Sequence, residues 1–499
     1  MINQATDIKR IVIAGGGTAG WMTAAAMGKL IGKTIDITLI ESDEIGTVGV
    51  GEATIPTLHI FHRLLGIKPA ELMAATNATF KLGISFENWR QVDHKYMHSF
   101  GYLGKDCWAG GFQHFWLKGL QKGISSDEIG DYCAEHLAAR ENKFAVLANQ
   151  EFNHAYHLDA GLYAKFLRKI AEEHGVKRKE GKIEKVNVDP ESGFITSLNM
   201  ADQTVVEGDL FIDCSGFKGL LIEEALHTGF DDWSHWLPCD RAVAVQTKNV
   251  QPAIPYTRSI ARSAGWQWRI PLQSRTGNGH VFCSRYMSDE EGKQLLLDNV
   301  EGELLTDPRV IKFRTGTRRK HWNKNCVAIG LSSGFIEPLE STSIHLIQRG
   351  IIRLLQNFPS KGIRQPDIDH FNKLTEFETE GIRDFIILHY HVTERRDSAF
   401  WNYCRTMPIP DSLQHRIDLF KQTGKVFKEL DELFGDSSWL QVMLGQGLES
   451  EQYHPIVDMM DDKELESFLE GIRKSVRARV SALPKHNDFI NHYCKSNIV

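Results

Sequence analysis

The chain has 499 residues, of which 42% are hydrophobic and 24% are charged, and its formal net charge is −6. This length predicts two or three folded domains of ordinary globular composition, and the slight negative charge gives no reason to expect nucleic acid or an anionic membrane as a partner. No stretch of about 18 apolar residues occurs, which argues against a membrane-spanning helix.

Targeting, disulfide and metal signals are weak in this sequence. The first residues lack a basic segment followed by an apolar one, so we expect no signal peptide and a cytoplasmic protein. The eight cysteines are scattered without a C-x-x-C pair, and we expect reduced thiols. Because His389 and His391 are two residues apart, they cannot share a helix face, and no other histidine spacing suggests a metal site.

The chain opens with a pattern typical of dinucleotide-binding proteins. A buried strand is predicted over residues 11–14, and it leads into a glycine-rich turn at residues 15–20. Gly15, Gly17 and Gly20 fit G-x-G-x-x-G, in which the first glycine makes the tight turn, the second lets a pyrophosphate approach and the third lets helix and strand pack. The pattern predicts a dinucleotide site. A tight turn in an ordinary α/β domain is the alternative.

The segments around this turn strengthen the prediction. Thr18 and Ala19 begin a predicted helix, whose free N–H groups and positive dipole end suit a phosphate. A second strand is predicted over residues 35–40 and ends at Glu41, where such folds carry an acid that binds the ribose. The other glycine-rich turns do not repeat the fingerprint, which indicates one bound nucleotide and a reductant that arrives from elsewhere.

The next hundred residues have mixed signals. Residues 49–56 are rich in glycine and stop at a proline, so we predict an ordered loop. Residues 95–120 are rich in Gly, His, Phe and Trp without a clear period, and we predict loops around a site or a core edge. Helical spacing predicts helices over residues 57–90 in two pieces with Lys81 in the second, over 125–150 and over 160–175.

Strands dominate the middle of the chain and helices its end. Strands are predicted over residues 182–212, 209–216, 241–285 and 327–330, and a helix over 341–356. Beyond about residue 346 the pattern is mostly helical and more charged. We therefore predict an α/β fold with a front module over residues 1–345 and a mainly helical region over residues 346–499.

Four motifs in this order resemble those of the flavin-dependent tryptophan halogenase family. They are the glycine turn ending at Trp21, residues 51–56 (GEATIP), residues 265–271 (GWQWRIP) and residues 334–342 (GFIEPLEST). The W-x-W-x-I-P run sets this family apart from the flavin monooxygenases. The resemblance covers most of the chain and implies a Rossmann-like, FAD-binding fold of the flavoprotein monooxygenase type, with the helical region closing a substrate pocket.

The resemblance implies a two-component enzyme. A separate flavin reductase, without a required stable complex, would supply FADH2. Oxygen and a bound halide, chloride or bromide, would then give hypohalous acid, which would pass through a tunnel and halogenate a small electron-rich arene. A homodimer is suggested by the family and by the frequency of symmetric pairs.

The resemblance also implies roles for individual residues. Lys81 matches the catalytic lysine that holds hypohalous acid or forms a haloamine, and Glu340 matches the glutamate that assists removal of the ring proton. Thr342 and Ser343 match the halide site, although Ser343 stands where many members carry glycine. The remaining assignments are FAD binding by Gly15, Gly17, Thr18, Ala19, Gly20, Glu41, Ala53 and Gly330, and a substrate pocket of His98, Phe100, Trp266 and Trp268.

Each of these roles has a structural alternative. Lys81 could be a helix-surface lysine, and Glu340 a carboxylate that stabilises the start of the following helix. Thr342 and Ser343 could cap that helix. The two tryptophans and the His98–Phe100 pair could be core or loop packing.

The arene and the reaction class also leave alternatives. The C-terminal region offers Trp439 as an aromatic anchor but no acid-and-tyrosine cluster that would grip a free amino acid. Indole or a larger indole derivative is therefore plausible beside tryptophan. An FAD-dependent aromatic hydroxylase, which would not require Lys81 and the two tryptophans, is one alternative function. A catalytically silent FAD-binding protein is another.

Overall fold

The computed structural model describes residues 7–44, 51–147, 152–359 and 361–497. The described residues form 22 strands and 14 α-helices, joined by short segments of tighter or wider helix. The predicted α/β class is confirmed. In the described part of the chain, no helix combines the length and the apolar character that a bilayer crossing requires.

The strands are, in chain order, β1 (Arg10–Ala14), β2 (Asp36–Glu41), β3 (Gly51–Ala53), β4 (Thr79–Lys81), β5 (Gly83–Glu87), β6 (Lys95–Ser99), β7 (Ala155–Asp159), β8 (Lys177–Glu180), β9 (Ile183–Val188), β10 (Ile195–Met200), β11 (Val205–Glu207), β12 (Leu210–Asp213), β13 (Phe230–Asp232), β14 (Arg241–Lys248), β15 (Thr257–Arg262), β16 (Gly265–Pro271), β17 (Arg275–Phe282), β18 (Arg309–Lys312), β19 (Gly316–Arg318), β20 (Trp322–Asn323), β21 (Cys326–Ala328) and β22 (Gly334–Phe335).

The helices are α1 (Thr18–Ile31), α2 (Leu58–Leu65), α3 (Pro69–Ala75), α4 (Phe112–Gln121), α5 (Ala134–Arg140), α6 (Ala160–Glu173), α7 (Asp289–Asp298), α8 (Ser343–Gln356), α9 (Gln365–His391), α10 (Ala399–Thr406), α11 (Asp411–Thr423), α12 (Asp436–Gly445), α13 (Asp462–Ser481) and α14 (His486–Tyr493).

The first large sheet has six strands in the order β20-β21-β12-β1-β2-β8, and it is parallel except at β20. Ile11 and Ile13 of β1 are buried in one apolar cluster with α1, α6 and α8, while Val12 faces another. This alternation is what a strand covered on both faces requires. The carboxyl ends of the strands therefore meet at the turn that precedes α1.

The second large sheet has seven strands in the order β18-β14-β17-β16-β15-β5-β6. Its apolar residues form a second core with residues of α9, α10, α11 and α12. A small sheet, β3-β7-β4, brings the Gly51–Ala53 strand and the Thr79–Lys81 strand to the same partner, β7. The two motifs that the sequence places 30 residues apart thus become neighbours.

The predicted helix around Lys81 is wrong. Helix α3 ends at Ala75, and Asn77 takes a left-handed backbone conformation with φ 55°, which breaks the helical path. Lys81 then lies on β4, where it pairs with Ala155. The three-residue strand is stabilised by a partner distant in sequence, so its local pattern carries no strand signal.

Several other boundaries also differ from prediction. Residues 95–120 are not only loops, because they contain β6 and nearly all of α4. Of the helix predicted over residues 125–150, only α5 is α-helical among the described residues. The strand predicted over residues 327–330 ends at Ala328, since Gly330 adopts φ 81°. Helix α8 begins at Ser343 rather than at residue 341. Residues 49 and 50 of the predicted loop and residues 148–150 of the predicted helix lie outside the described residues.

Other predictions are confirmed. The first strand and helix, the second strand ending at Glu41 and the helix over residues 160–175 are present, as are the strands within residues 182–212 and 241–285. The chain after residue 346 is mainly helical. The division at residue 345 stays a prediction, and α8 runs through that position. Each of the eight cysteines is a free thiol.

The glycine turn gives a stability prediction. A Cβ on Gly15, at φ 117°, would lie 2.2 Å from the Cys214 carbonyl oxygen, whereas a Cβ on Gly17 would meet no atom within 4 Å. We expect Gly15→Ala to lower the free energy of unfolding by about 2–4 kcal/mol because it adds both strain and overlap. The matched change Gly17→Ala should stay within about 1 kcal/mol. Urea unfolding without added ligand measures the stability of both variants. Equal losses of unfolding free energy would show that Gly15 is not required by its backbone conformation and close packing.

Candidate active site

A cavity of about 640 Å³ opens where the strands of the parallel sheet end. It extends from the turn before α1 to β16 and the start of α8. Of the residues predicted to bind FAD, those lining it are Gly15, Gly17, Thr18, Ala19, Glu41, Ala53 and Gly330. Gly20 is buried in the first turn of α1, where a Cβ would lie 1.8 Å from the Gly15 carbonyl oxygen. It therefore permits close packing, as its place in the pattern predicts.

The cavity fits an extended dinucleotide. Gly17 is the N-cap of α1, has no side chain to satisfy the helix N–H groups and faces open space. Free N–H groups at a helix N-terminus suit a pyrophosphate. Glu41 ends β2 next to this turn, and its Oε2 accepts a hydrogen bond of 3.1 Å from Trp21 Nε1. Its Oε1 lies 2.5 Å from Arg178 Nε, so the carboxylate is fixed at the edge of the cavity.

Lys81 lies fully buried beyond the far end of this cavity. Its Nζ donates hydrogen bonds to the Thr54 carbonyl at 3.0 Å and to Ser341 Oγ at 2.8 Å, and it stands 5.2 Å from the centre of the Phe100 ring. Burial lowers the pKa of Lys81 to about 7, against an opposing effect of the Glu340 charge. The amine is therefore poised to change protonation state near neutral pH.

Glu340 is a buried carboxylate held by two histidines. His98 Nδ1 lies 2.9 and 3.0 Å from its two oxygens, and His389 Nε2 lies 2.9 Å from Oε1. Burial alone would raise the pKa of Glu340, but the charges and N–H groups of His98 and His389 outweigh it and hold the pKa at about 2. The carboxylate is thus kept ionised inside the protein.

Ser341 joins these groups to the large cavity. It lines the cavity, and its hydroxyl accepts the hydrogen bond from Lys81. Its backbone is left-handed, with φ 61°, between the short helical turn of residues 338–340 and α8. This conformation is uncommon for a residue with a side chain. It turns the chain so that Glu340 and Ser341 both reach the Lys81 region.

The predicted halide residues lie at the start of α8. Thr342 is buried at the N-cap position, and its Oγ1 has no hydrogen-bond partner among the described residues. Ser343 is the first residue of the helix and lines the cavity. The structure therefore places the N-terminus of α8 at the cavity wall, which is a setting that suits an anion. The buried Thr342 hydroxyl is adjacent in the chain but is not part of the cavity lining.

The two predicted tryptophans occupy alternate positions on β16 and both line the cavity. Their ring centres are 6.0 Å apart. Trp266 Nε1 donates to Glu337 Oε2 at 2.9 Å, and Tyr390 donates to the same oxygen at 2.6 Å. Burial raises the pKa of Glu337 to about 7. Trp266 is thus held in one orientation by a buried acid.

The predicted pair His98 and Phe100 lies with Lys81 and Glu340, away from the lining of the large cavity. Phe434 packs beside His98, with ring centres 6.2 Å apart, and stacks on Phe385 at 3.9 Å. Trp439, the suggested anchor, is buried and packs edge-on against Phe385 at 4.8 Å. These aromatic side chains surround the Lys81–Glu340 region with apolar surface.

Sequence reasoning missed Ser341, Glu337 and His389. Ser341 and Glu337 belong to the GFIEPLEST run, but within that run the resemblance assigns roles only to Glu340 and Thr342. In the sequence, His389 is notable only for its two-residue distance from His391, which excludes a shared helix face. Its contact with Glu340 spans 49 positions of the sequence and depends on how α9 packs, so no local signal was available.

Solved structures of two flavin-dependent halogenases are closely similar to this chain. Xcc4156 from Xanthomonas campestris has a TM-score of 0.97 at 56% sequence identity, covering 99% of both chains. BrvH from Brevundimonas sp. BAL3 has a TM-score of 0.94 at 45% identity, covering 98% of this chain and 99% of that chain. The predicted Rossmann-like fold of FAD-dependent enzymes is confirmed by these relatives.

Sequence comparison agrees with the structural one. The family model described as Tryptophan halogenase matches residues 10–462. The 7-chloro-L-tryptophan 6-halogenase KtzR from Kutzneria sp. (strain 744) is 34% identical over 516 residues, which cover 96% of this chain and 98% of that protein.

The buried Lys81 amine should cost stability. Because the pKa of Lys81 falls from 10.5 to about 7 on burial, the cost is fully present below about pH 7 and fades as the pH rises toward 10.5. We expect Lys81→Met to raise the free energy of unfolding by about 1–4 kcal/mol below pH 7 and by much less above pH 10. Denaturant unfolding at several pH values measures this.

Lys118 is the matched control for that change. It is also buried, but its Nζ donates to the carbonyls of Val457 and Met460 at 2.9 and 2.7 Å and lies near Asp458. Lys118→Met should therefore destabilise the protein by leaving two carbonyls unpaired. Lys81→Met also loses hydrogen bonds, to Thr54 and Ser341, but this loss is offset because the burial of a charged amine is relieved. If Lys81→Met lowered stability as much as Lys118→Met, the buried amine would be structural.

Proposed function

The chain belongs to the tryptophan halogenase family and is a flavin-dependent halogenase, and from this premise we propose that it uses FADH2, oxygen and chloride or bromide to halogenate an electron-rich aromatic compound. The observation that carries the proposal is the buried Lys81–Ser341–Glu340 group beside the FAD cavity. Lys81 donates to Ser341, Ser341 lines the cavity, and Glu340 precedes Ser341 in the chain. A hydroxylase has no need for this arrangement.

FAD would be held by the turn of Gly15 and Gly17, with Glu41 at the adenosine end and Ala53 and Gly330 along the cavity. When bound in its reduced form, it supplies the activation of oxygen through which halide is oxidised to hypohalous acid. The open N-terminus of α1 supports this placement, because it offers N–H groups to the pyrophosphate. We propose Thr342 and Ser343 as the halide site, since α8 begins at Ser343, which lines the same cavity, and a helix N-terminus suits an anion.

In this proposal, Lys81 receives the electrophilic halogen. A free amine can form a haloamine, and an ammonium can hold hypohalous acid by hydrogen bonding. Burial in an apolar surrounding favours the free amine. The hydrogen bonds to Thr54 and Ser341 fix the position of Nζ, and the Phe100 ring lies 5.2 Å from it.

Glu340 is proposed to take the ring proton. Electrophilic substitution leaves the arene with one proton too many, and an ionised carboxylate within reach can remove it. Glu340 is buried, ionised and close enough to Lys81 to affect its pKa. In this proposal, Lys81 therefore delivers the halogen to the arene, and Glu340 accepts the proton that the arene loses.

Trp266 and Trp268 are proposed to separate the two reactive spaces. Both line the FAD cavity, and Glu337 holds the Trp266 indole in place. Their bulk would keep the arene away from the flavin, so that direct oxygen transfer to the ring is suppressed. A small diffusible hypohalous acid would still reach Lys81.

We propose indole or an indole derivative, such as tryptophan, as the arene. Aromatic rings of His98, Phe100 and Phe434 surround the Lys81–Glu340 region, which suits a flat, electron-rich ring. The lack of a recognised grip for an amino-acid tail favours indole itself or a larger indole compound. A separate flavin reductase would supply FADH2 by diffusion, and a homodimer is the proposed assembly.

The first prediction concerns the product. With FAD, a flavin reductase, NADH, oxygen and bromide, the protein should convert indole to a product with the bromine isotope doublet in its mass spectrum. Lys81→Ala should lower the rate by at least about 100-fold while FAD binding is unchanged. Lys169, which is exposed, provides the control, and Lys169→Ala should keep full activity.

Other products would decide against parts of the proposal. A product heavier by oxygen alone would make the protein a hydroxylase. Full halogenation by Lys81→Ala would remove Lys81 from the mechanism. Parallel reactions with tryptophan in place of indole, and with chloride in place of bromide, measure the arene and halide preferences. All of these reactions should use the same enzyme preparation.

A pH dependence follows from the lowered pKa of Lys81, about 7. If the free amine carries the halogen, the halogenation rate should rise roughly tenfold between about pH 6 and about pH 8, as the unprotonated fraction grows. Chemically reduced FAD should replace the reductase, so that the pH dependence of the reductase does not affect the measured halogenation rate. A rate that falls over this range would show that the ammonium form acts.

A further inference from the structure

The strand that carries His98 lies at the edge of its sheet. β6 is the last strand in the order of the seven-stranded sheet, and β5 is its neighbour there. The backbone N–H and C=O groups on the outer side of an edge strand have no partner strand. Because the second half of β6 is buried, those groups need a partner of another kind.

Ser99, the last residue of β6, has its backbone polar groups on this outer side. It is paired with Gly83 in the antiparallel register, and the N–H of the next residue, Phe100, donates to the Leu82 carbonyl at 2.9 Å. In an antiparallel ladder this pattern makes Ser99 and Gly83 a pair without mutual hydrogen bonds. The N–H and C=O of Ser99 therefore point away from β5.

The side chain of Gln441, on α12, takes the place of the missing strand at this point. Its Oε1 accepts hydrogen bonds from Ser99 N at 2.9 Å and from Ser99 Oγ at 2.8 Å. Its Nε2 donates to the Ser99 carbonyl and to the Ser437 carbonyl, both at 3.1 Å. Both Gln441 and Ser99 are buried. The two lone pairs and the two hydrogens of the amide are thus all used.

The orientation of the Gln441 amide follows from its partners. A backbone N–H only donates and a carbonyl only accepts, so Oε1 faces the Ser99 N–H and Nε2 faces the carbonyls. Turning the amide over would place a donor against a donor. Leucine has a similar size but neither polar group, and an ionised carboxylate can accept but cannot donate. The contact with Ser99 therefore depends on an amide at this position.

Helix α12 is itself fixed on both sides of Gln441. Trp439 packs edge-on against Phe385 of α9, with ring centres 4.8 Å apart. Gln446 Nε2 donates to the His389 carbonyl, also on α9, at 2.5 Å. Gln441 therefore joins the edge of the sheet to a helix that is anchored on α9.

The residues on either side of Ser99 reach the Lys81–Glu340 region. His98 Nδ1 lies 2.9 Å from a Glu340 oxygen. The centre of the Phe100 ring lies 5.2 Å from Lys81 Nζ. Since both side chains are attached to the backbone that runs through Ser99, a shift of the main chain there would change both contacts.

We propose that Gln441 is a positioning residue: by holding the main chain at Ser99, it sets the places of the two side chains that flank Ser99. The inference rests on the proposed function, in which those side chains bound the space of the arene. Without Gln441, a buried N–H and a buried carbonyl would lose their partners, and the main chain would have to move to find others. The C-terminal helices thus shape the arene space through the backbone of β6.

Asn325 offers a matched control elsewhere in the fold. Its Oδ1 accepts from Ile195 N at 2.9 Å, and its Nδ2 donates to the Ile195 carbonyl at 2.8 Å. Asn325 is also buried, and it precedes β21, whose other end lines the cavity. Asn325→Leu therefore removes the same kind of backbone contact as Gln441→Leu, at a place away from the Lys81–Glu340 region.

The first measurement observes His98 without turnover. In long-range proton–nitrogen NMR of the full-length protein labelled with 15N-histidine, His98→Gln identifies the ring signals of His98. Those signals should shift in Gln441→Leu, because the contact of His98 with Glu340 changes. They should stay at their wild-type positions in Asn325→Leu. Unmoved signals in Gln441→Leu, or an equal shift in both variants, would overturn the inference.

The second measurement is the kinetics of indole bromination with saturating FAD and bromide. Gln441→Leu should raise the KM for indole and lower kcat/KM by about 10- to 100-fold, since a small displacement of positioning groups has an effect of that size. Asn325→Leu should keep the wild-type KM, and both variants should bind FAD as the wild type does. A wild-type KM in Gln441→Leu would show that the contact serves stability alone.

Gln441→Glu covers the case in which Gln441→Leu does not fold. An ionised carboxylate keeps the two accepted hydrogen bonds but cannot donate to the Ser99 carbonyl, so the His98 signals should again shift. If they do not, the inference is wrong.

The NMR comparison separates this inference from the proposed function. The spectra need no arene, halide or oxygen, so a protein that fails to halogenate can still show that Gln441 positions His98. Conversely, a halogenating protein whose His98 signals do not respond to Gln441→Leu would contradict the positioning role alone.

Discussion

The hydrogen bond from Lys81 to Ser341 is the contact on which the arrangement of the site depends. It joins a strand of the small sheet to the turn before α8, and that turn also carries Glu340. The left-handed backbone of Ser341 lets one residue face the cavity while the preceding residue faces the histidines. A small change of direction in this turn would move the amine, the carboxylate and the start of α8 relative to one another.

Burial lowers the pKa of Lys81 but acts to raise the pKa of Glu340. Lys81 has neutral acceptors, Thr54 and Ser341, and burial lowers the pKa of its amine toward neutrality. Glu340 has two histidines, which hold its pKa at about 2 despite the burial. The same apolar region thus contains a lysine that readily loses its proton and a glutamate that resists gaining one. Both pKa values are thus lowered, which favours the free amine of Lys81 and the ionised carboxylate of Glu340 near neutral pH.

The sequence predicted best where local pattern and chemistry coincide. The strand, glycine turn and helix at residues 10–31 form a continuous signal, and the structure reproduces it. Lys81 was assigned to a helix because helical spacing continued past residue 75, whereas the strand exists only through pairing with β7. The motif around Glu340 predicted a carboxylate site but not its partners. His389 reaches that site only through the packing of α9, which no local pattern reveals.

The proposed separation of the flavin space from the Lys81 region depends on the same long-range packing. Trp266 lies on β16 and Tyr390 on α9, and both donate to one oxygen of Glu337. His389 immediately precedes Tyr390 on that helix. Tyr390 therefore contacts Glu337, which holds the Trp266 wall of the cavity, and His389 contacts the Glu340 carboxylate. The turn that carries Glu337 and Glu340 is therefore held against α9 at two successive positions of the helix, which limits how far the cavity wall and the carboxylate can move relative to each other.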